Sequence, residues 1–153
     1  MLRMKWITVH CSASTPNDNY DMRRLYEDHV IGNGWSDVGY HFLITRDGVV
    51  HEGRPVKRTG AHVRNHNRGN IGICLAGGVD KYGRPEFNFT PEQMGSLRDL
   101  IINLIGIYGV PSPPMGHRDW SPDLNGDGII QANERIKECP CFDVAEWWKS
   151  VTE

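Results

Sequence analysis

The sequence predicts an α/β (α+β) fold: one domain, residues 1–153, with a central mixed β-sheet flanked by helices. Three observations carry this. Residues 5–11 alternate in strand fashion, residues 71–76 (IGICLA) form a short continuous apolar run, and residues 90–108 repeat apolar side chains with helical period. Strand-like and helix-like segments interleave, the order that lays helices on the faces of a mixed sheet.

In residues 5–11, Trp6, Thr8 and His10 share one face and Ile7, Val9 and Cys11 the other. Residues 12–19, rich in Ser, Pro, Asn and Asp, predict a loop. Residues 21–31 predict a helix with Met22, Leu25, Tyr26, His29 and Val30 on its apolar face, ended by Gly32-Asn33-Gly34. Residues 40–46 and 49–54 predict a hairpin with a two-residue turn at Asp47-Gly48. The 71–76 run predicts a strand covered on both faces, closed by Gly77-Gly78.

For 90–108, Thr90 is a natural N-cap, Pro91 suits the first turn, and Gln93 completes a capping box. Met94, Leu97, Ile101, Leu104, Ile105 and Tyr108 form its expected buried stripe, and Gly109 with the prolines at 111–114 stops it. A last helix starts near Asp143, with Val144, Trp147 and Trp148 facing inward.

Composition excludes several classes. Of 153 residues, 39% are apolar and 24% charged, ordinary for a globular domain. The net charge of −2 gives no basic excess for a nucleic-acid partner. No run approaches the roughly 18–20 apolar residues of a membrane span, and the first residues lack the apolar core of a cleaved signal peptide. Synthesis in a reducing cytosol is therefore expected. There four cysteines and seven histidines more often serve metal or catalysis than cross-linking.

The sharpest local motif is Asp123-Leu124-Asn125-Gly126-Asp127-Gly128-Ile129-Ile130-Gln131-Ala132-Asn133-Glu134. It fits the twelve-residue EF-hand calcium loop. Asp123, Asn125 and Asp127 stand at positions 1, 3 and 5, and Gly128 permits the bend at 6. Ile129 offers its carbonyl, Gln131 acts directly or through water, and Glu134 closes the shell at 12. Ser121-Pro122 precludes a long entering helix and there is no second loop, so this reads as a lone structural Ca2+ loop inserted in another fold. The bland alternative is an acidic surface loop. The loop holds three negative charges, leaving the remainder of the chain at +1.

A second constellation is His10, His117 and Cys139. Two imidazoles and a thiolate leave a fourth position for water, as a catalytic zinc site requires. By spacing alone this is weak: the three are 107 and 22 residues apart, and any of seven histidines qualifies.

The surrounding residues sharpen it. Val9-His10-Cys11-Ser12-Ala13, Gly34-Trp35-Ser36-Asp37-Val38-Gly39-Tyr40-His41-Phe42, Arg46-Asp47-Gly48, Glu52-Gly53-Arg54 and Gly60-Ala61-His62 follow one another in the chain. Then come Asn70-Ile71-Gly72-Ile73-Cys74-Leu75, Phe89-Thr90-Pro91-Glu92-Gln93-Met94, Gly116-His117-Arg118-Asp119 and Lys137-Glu138-Cys139-Pro140 with Phe142-Asp143. In these elements and their order the chain resembles the zinc-dependent type-2 N-acetylmuramoyl-L-alanine amidases. That family shares its fold with peptidoglycan recognition proteins and includes many phage endolysins.

The resemblance implies Zn2+ ligands at His10, His117 and Cys139, an active-site tyrosine at Tyr40, a catalytic lysine at Lys137 and a substrate-pocket position at His62. It implies a peptidoglycan substrate, cut between N-acetylmuramic acid and L-alanine. A monomer is expected, with neither nucleic acid nor membrane as partner. It further implies a phage endolysin, made in the host cytoplasm and acting on the periplasmic wall once the membrane is opened. A cytosolic wall-recycling amidase and a non-catalytic peptidoglycan-binding module are the alternatives; members of the second kind lack the Cys ligand. Glycosidase chemistry needs two carboxylates across a sugar, and the acidic residues placed in motifs belong to the calcium loop.

Two points stay open. Cys141 shares strand parity with Cys139, though the family's Cys-Pro step favours Cys139, and a disulfide between the two is disfavoured by strain. The family also joins its second His to the Cys by a short loop. Here the gap is 22 residues, of which the calcium loop supplies twelve. Calcium would then hold Lys137 and Cys139 in register.

Overall fold

The computed structural model describes residues 3–121 and 138–153. The calcium-loop residues Asp123, Asn125, Asp127, Ile129, Gln131 and Glu134, and also Lys137, lie outside the described residues.

Five strands form one sheet in the order β3-β2-β4-β1-β5. They are β1 (Trp6–Cys11), β2 (Phe42–Ile44), β3 (Val50–Glu52), β4 (Asn70–Leu75) and β5 (Met115–Gly116). The neighbours β2–β4, β4–β1 and β1–β5 are parallel, and β2–β3 is antiparallel. The sheet is mixed, as the interleaved pattern predicts.

β4 lies centrally and all six of its residues are buried. One face packs into the main core, where Ile7, Val9, Phe42, Ile44, Ile71, Ile73 and Leu75 meet Leu97, Ile101, Leu104 and Val144. The other face meets a smaller cluster of Tyr20, Leu25, Val38, Leu43, Cys74 and Ala76. The continuous apolar run of β4 thus reflects burial on both sides.

Helix α2 (Pro91–Tyr108) starts at the Thr90/Gln93 capping box and ends at Gly109, whose φ of 63° places it in the left-handed region. Gln93 does more than cap. It is wholly buried, and its side-chain amide donates to the carbonyls of Ile44 (3.0 Å) and Ala76 (2.9 Å). The helix is pinned to the ends of β2 and β4 by the residue that begins it. Leu97, Ile101 and Leu104 are buried as expected, whereas Tyr108 is 36% exposed.

Two other expectations shift, and one strand leaves no sequence signal. The helix expected over 21–31 is α1 (Met22–Tyr26), capped by Asp21 accepting from the Arg24 amide (2.9 Å), followed by a π-type segment Glu27–Gly32. The hairpin turn has three residues, not two. Thr45 pairs with Val49, the Gly48 N–H donates to the Thr45 carbonyl (2.8 Å), and Gly48 has φ of 84°. That geometry is a turn closed by a left-handed residue, for which Gly is suited. The short strand β5 has too few residues to leave a periodic signal. The final helix α3 (Val144–Thr152) starts at Asp143, which accepts from the Glu146 amide, and buries Val144. Among the described residues no helix is long and apolar enough to cross a membrane.

Replacing Gln93 by Met keeps the volume and removes both bonds. The Ile44 carbonyl keeps the Ala76 N–H as donor (3.0 Å), while the Ala76 carbonyl loses its side-chain donor, a loss of about 1–3 kcal/mol for a buried group left unpaired. Urea unfolding of this variant is expected to show a loss of about 1–3 kcal/mol. A loss below about 0.5 kcal/mol would show that the amide does not tie helix to sheet.

Candidate metal centre

The alternation of β1 puts Trp6, Thr8 and His10 on the face away from the main core, and His10 is only 1% exposed. The parallel pairing of β5 with β1 sets Gly116 beside Val9, so the next residue, His117, arrives next to His10. Their ring centroids are 4.5 Å apart. His117 opens a 3-10 turn (His117–Trp120), which the Asp119 carboxylate fastens by accepting from the Gly116 N–H at 2.8 Å.

Cys139 is drawn in from two sides. Its carbonyl accepts from the Arg118 N–H (2.9 Å), and its Sγ accepts from the Cys11 N–H (3.0 Å). Gly116 makes the approach feasible, since a Cβ there would lie 2.8 Å from Pro140 Cδ. His10, His117 and Cys139 therefore bring one ligand atom each to within 4.8 Å of one another.

Tetrahedral zinc, with bonds of about 2.0–2.3 Å, places its ligand atoms roughly 3.4–3.8 Å apart. Small side-chain rotations close that gap, and a two-nitrogen, one-sulfur donor set is zinc-like rather than calcium- or magnesium-like. His10 forms the buried floor, while His117 and Cys139 are half-buried, so the ligand set is reached from their side. Cys141 stands outside this set. Its Sγ donates to the Gly78 carbonyl at 3.2 Å.

Tyr40 lies beside the ligands, its ring centroid 4.9 Å from that of His10. Burial pushes its phenol pKa well above the usual value of 10, and the neighbouring Cys74 thiol is pushed up in the same way. The hydroxyl keeps its proton across the neutral range and is a donor.

His62, the expected substrate-pocket position, is almost wholly buried. It is 9% exposed and sits behind His10, with its Nδ1 2.9 Å from His10 Nε2 and its Nε2 2.8 Å from the Asn70 carbonyl oxygen. Burial lowers its pKa to about 3.

Two further histidines belong to the surroundings, and the sequence did not single them out. His29, on the π-type segment, turns toward the site. Its Nδ1 accepts from the Gly39 N–H (2.8 Å), and its ring lies between Trp35 (4.7 Å) and Tyr40 (5.4 Å). The helical period already sets His29 on the face of Leu25, and the structure packs that face against Tyr40. His41 follows Tyr40 and is 2% exposed. Its Nδ1 accepts from the Gly72 N–H (3.0 Å) and its Nε2 donates to the Arg58 carbonyl (2.9 Å). On the far side Trp120 donates from Nε1 to Thr8 Oγ1 (3.0 Å), and the Thr8 hydroxyl donates to Asn70 Oδ1 (2.7 Å).

This chain is similar throughout its length to proteins of one kind. The family profile described as N-acetylmuramoyl-L-alanine amidase matches residues 1–140. An endolysin of Enterobacteria phage T3 is 41% identical over 143 residues, covering 94% of this chain and 84% of the phage protein. Among solved structures, the endolysin N-acetylmuramoyl-L-alanine amidase LysCS of Clostridium intestinale superposes with a TM-score of 0.73 at 28% identity, over 98% of this chain and 84% of that one. The PGRP-SA structure of Apis mellifera, at 17% identity, shares the fold with a TM-score of 0.71 over 100% and 86% of the two chains.

The pairing of His41 has a pH consequence. Both ring nitrogens are committed to a neutral imidazole, and burial lowers the pKa from 6.5. The unfolded chain takes up this proton first, so the stability His41 contributes is present above about pH 6.5 and lost as pH falls below it. Thermal unfolding between pH 7.5 and 5 is expected to show Tm falling with acidification. In His41→Asn, which retains an acceptor for Gly72, the slope should be shallower by up to about 1.4 kcal/mol per pH unit. An unchanged slope would contradict the assignment.

Proposed function

The chain belongs to the N-acetylmuramoyl-L-alanine amidase family, and from that premise we propose that it is a zinc-dependent phage endolysin. It hydrolyses the amide between N-acetylmuramic acid and L-alanine in bacterial peptidoglycan. It is made in the cytoplasm of the infected cell and reaches the wall once the membrane is breached. The observation that carries the metal-dependent reading is the convergence of His10, His117 and Cys139 from three separate segments to within 4.8 Å. A purely structural arrangement has no need to bring two imidazoles and a thiol together beside an accessible edge.

Zinc bound there supplies Lewis acidity and a water that loses its proton near neutral pH. The chain's own residues do the rest. His10 forms the buried floor and orients the ligand set. Tyr40 retains the proton on Oη at neutral pH and so serves as a hydrogen-bond donor to the scissile carbonyl oxygen, where negative charge develops. Lys137 is assigned the cation that stabilises the same oxygen and shares in protonating the leaving amine. That role rests on its position two residues before Cys139 in the sequence.

Residues 123–134 are proposed to bind calcium, on the EF-hand pattern alone. The loop lies between two of the proposed zinc ligands and just before Lys137. Calcium bound there would order the segment that delivers Lys137 and Cys139.

Two experiments test this reading. Purified cell walls incubated with the protein should release new free amino groups and no new reducing ends, and a zinc chelator should abolish the release. Cys139→Ser should lower activity by about 100-fold or more, since only two protein ligands remain of the three a catalytic zinc needs, while Cys141→Ser leaves it largely intact. Reducing ends, or activity indifferent to chelation, would contradict the proposal. Separately, calcium at 100 times its Kd should stabilise the protein by about 2.7 kcal/mol, and Glu134→Ala should remove the effect. A melting temperature that calcium does not move would remove calcium from the account.

A further inference from the structure

We propose that His62 is a positioning residue that fixes the tautomer of His10, holding the His10 proton on Nε2 and presenting Nδ1 to the metal. The inference rests on the zinc reading above for its purpose, but its geometry stands independently.

The protons are fixed along one chain of contacts running from Asn70 through His62 to His10. The Asn70 carbonyl oxygen can only accept, so His62 Nε2, 2.8 Å away, carries a hydrogen and donates it. His62 Nδ1 lies 2.9 Å from His10 Nε2, and one proton must sit between these two nitrogens. If it belonged to His62, that ring would be a buried cation. His62 is only 9% exposed and already donates from Nε2, and in a neutral ring of that tautomer Nδ1 can only accept. The proton therefore belongs to His10 Nε2, which donates to His62 Nδ1. A neutral imidazole with its hydrogen on Nε2 carries its lone pair on Nδ1. Nδ1 is then the atom with which His10 joins His117 and Cys139.

The fold holds His62 for this task. A Cβ at Gly72 would lie 2.7–2.8 Å from three atoms of the His62 ring, and one at Gly60 would lie 2.8 Å from its Cδ2. Two glycines thus form a slot the width of an imidazole. The Asn67 side-chain oxygen accepts from the N–H groups of His62 (2.8 Å) and Val63 (2.7 Å), fixing the backbone from which the ring projects. Gly72 sits on β4 directly opposite Thr8, one side-chain repeat from His10 on the same face. The ring of His62 occupies the space a β4 side chain would otherwise fill.

Ligating histidines are oriented and made more basic by an acceptor on their other nitrogen, and losing that acceptor typically costs about 10- to 100-fold in metal affinity. Here the acceptor is a second imidazole backed by a backbone carbonyl.

The test has two arms. In metal-free wild-type protein, long-range 1H–15N NMR spectra are expected to show His10 and His62 both neutral with hydrogens on Nε2; a His10 hydrogen on Nδ1 would overturn the proposal. In the second arm zinc affinity is measured by competition with a chromophoric chelator. His62→Phe, which fills the slot without an acceptor, should bind zinc about 10- to 100-fold more weakly. His62→Gln should largely restore affinity, because its amide oxygen can accept from His10 while its NH2 donates to Asn70. Unchanged affinity in the Phe variant, or equal loss in both, would overturn the proposal. Wild-type protein that binds no zinc would instead defeat the zinc reading, and the metal-free spectra would still decide the tautomer.

Discussion

The parallel register between β1 and β4 sets Trp6 opposite Asn70, Thr8 opposite Gly72 and His10 opposite Cys74. Because side chains alternate across a sheet, a slip of one residue would turn His10 into the main core and Val9 out of it. The register is held by what each face demands. Ile7, Val9, Ile71, Ile73 and Leu75 are all fully buried against the main core. Thr8 and Asn70 satisfy one another on the opposite face at 2.7 Å. Apolar burial on one side and polar pairing on the other thus select the same alignment. Gly72 then leaves a space that a side chain would close, and His62 fills it.

From that register the site assembles by short covalent steps. β5 continues the sheet beside β1 and hands over His117 at its end. The 3-10 turn that follows presents the Arg118 N–H, which donates to the Cys139 carbonyl. Cys139 is 128 residues from Cys11, whose amide donates to its sulfur. The polar groups drawn into this region would be costly to bury unpaired. Instead His10, His29, His41, His62 and Asn70 each have a described partner, most of them backbone groups of glycine-rich segments. The density of glycine around the site, at 60, 72 and 116, follows from the need for rings and backbone to approach closely.

Much of the fold was legible in the sequence because its signals are local. The alternation at 5–11, the apolar run at 71–76 and the Thr90/Gln93 cap each appear where expected. What was not legible depends on tertiary packing. Gln93 reads as a cap residue, and only the meeting of β2, β4 and α2 makes it a tie between them. The helical period puts His29 on the inward face with Leu25, and only the packing of that face makes Tyr40 its neighbour. The ligand set was invisible from spacing, since its members are far apart in the chain. Family resemblance pointed to them, and the sheet explains how they meet. The resemblance placed His62 in a substrate pocket; the structure shows it 9% exposed, with its Nδ1 2.9 Å from His10 Nε2, a contact that no sequence pattern signals.

The central claim is that His10, His117 and Cys139 together hold one zinc ion. X-ray absorption at the zinc edge, on protein loaded with one equivalent, reads this shell directly. The account predicts two imidazole nitrogens at about 2.0–2.1 Å, one sulfur at about 2.3 Å and one further light scatterer. A shell without sulfur, one with two sulfurs that include Cys141, or a failure to retain zinc would contradict it.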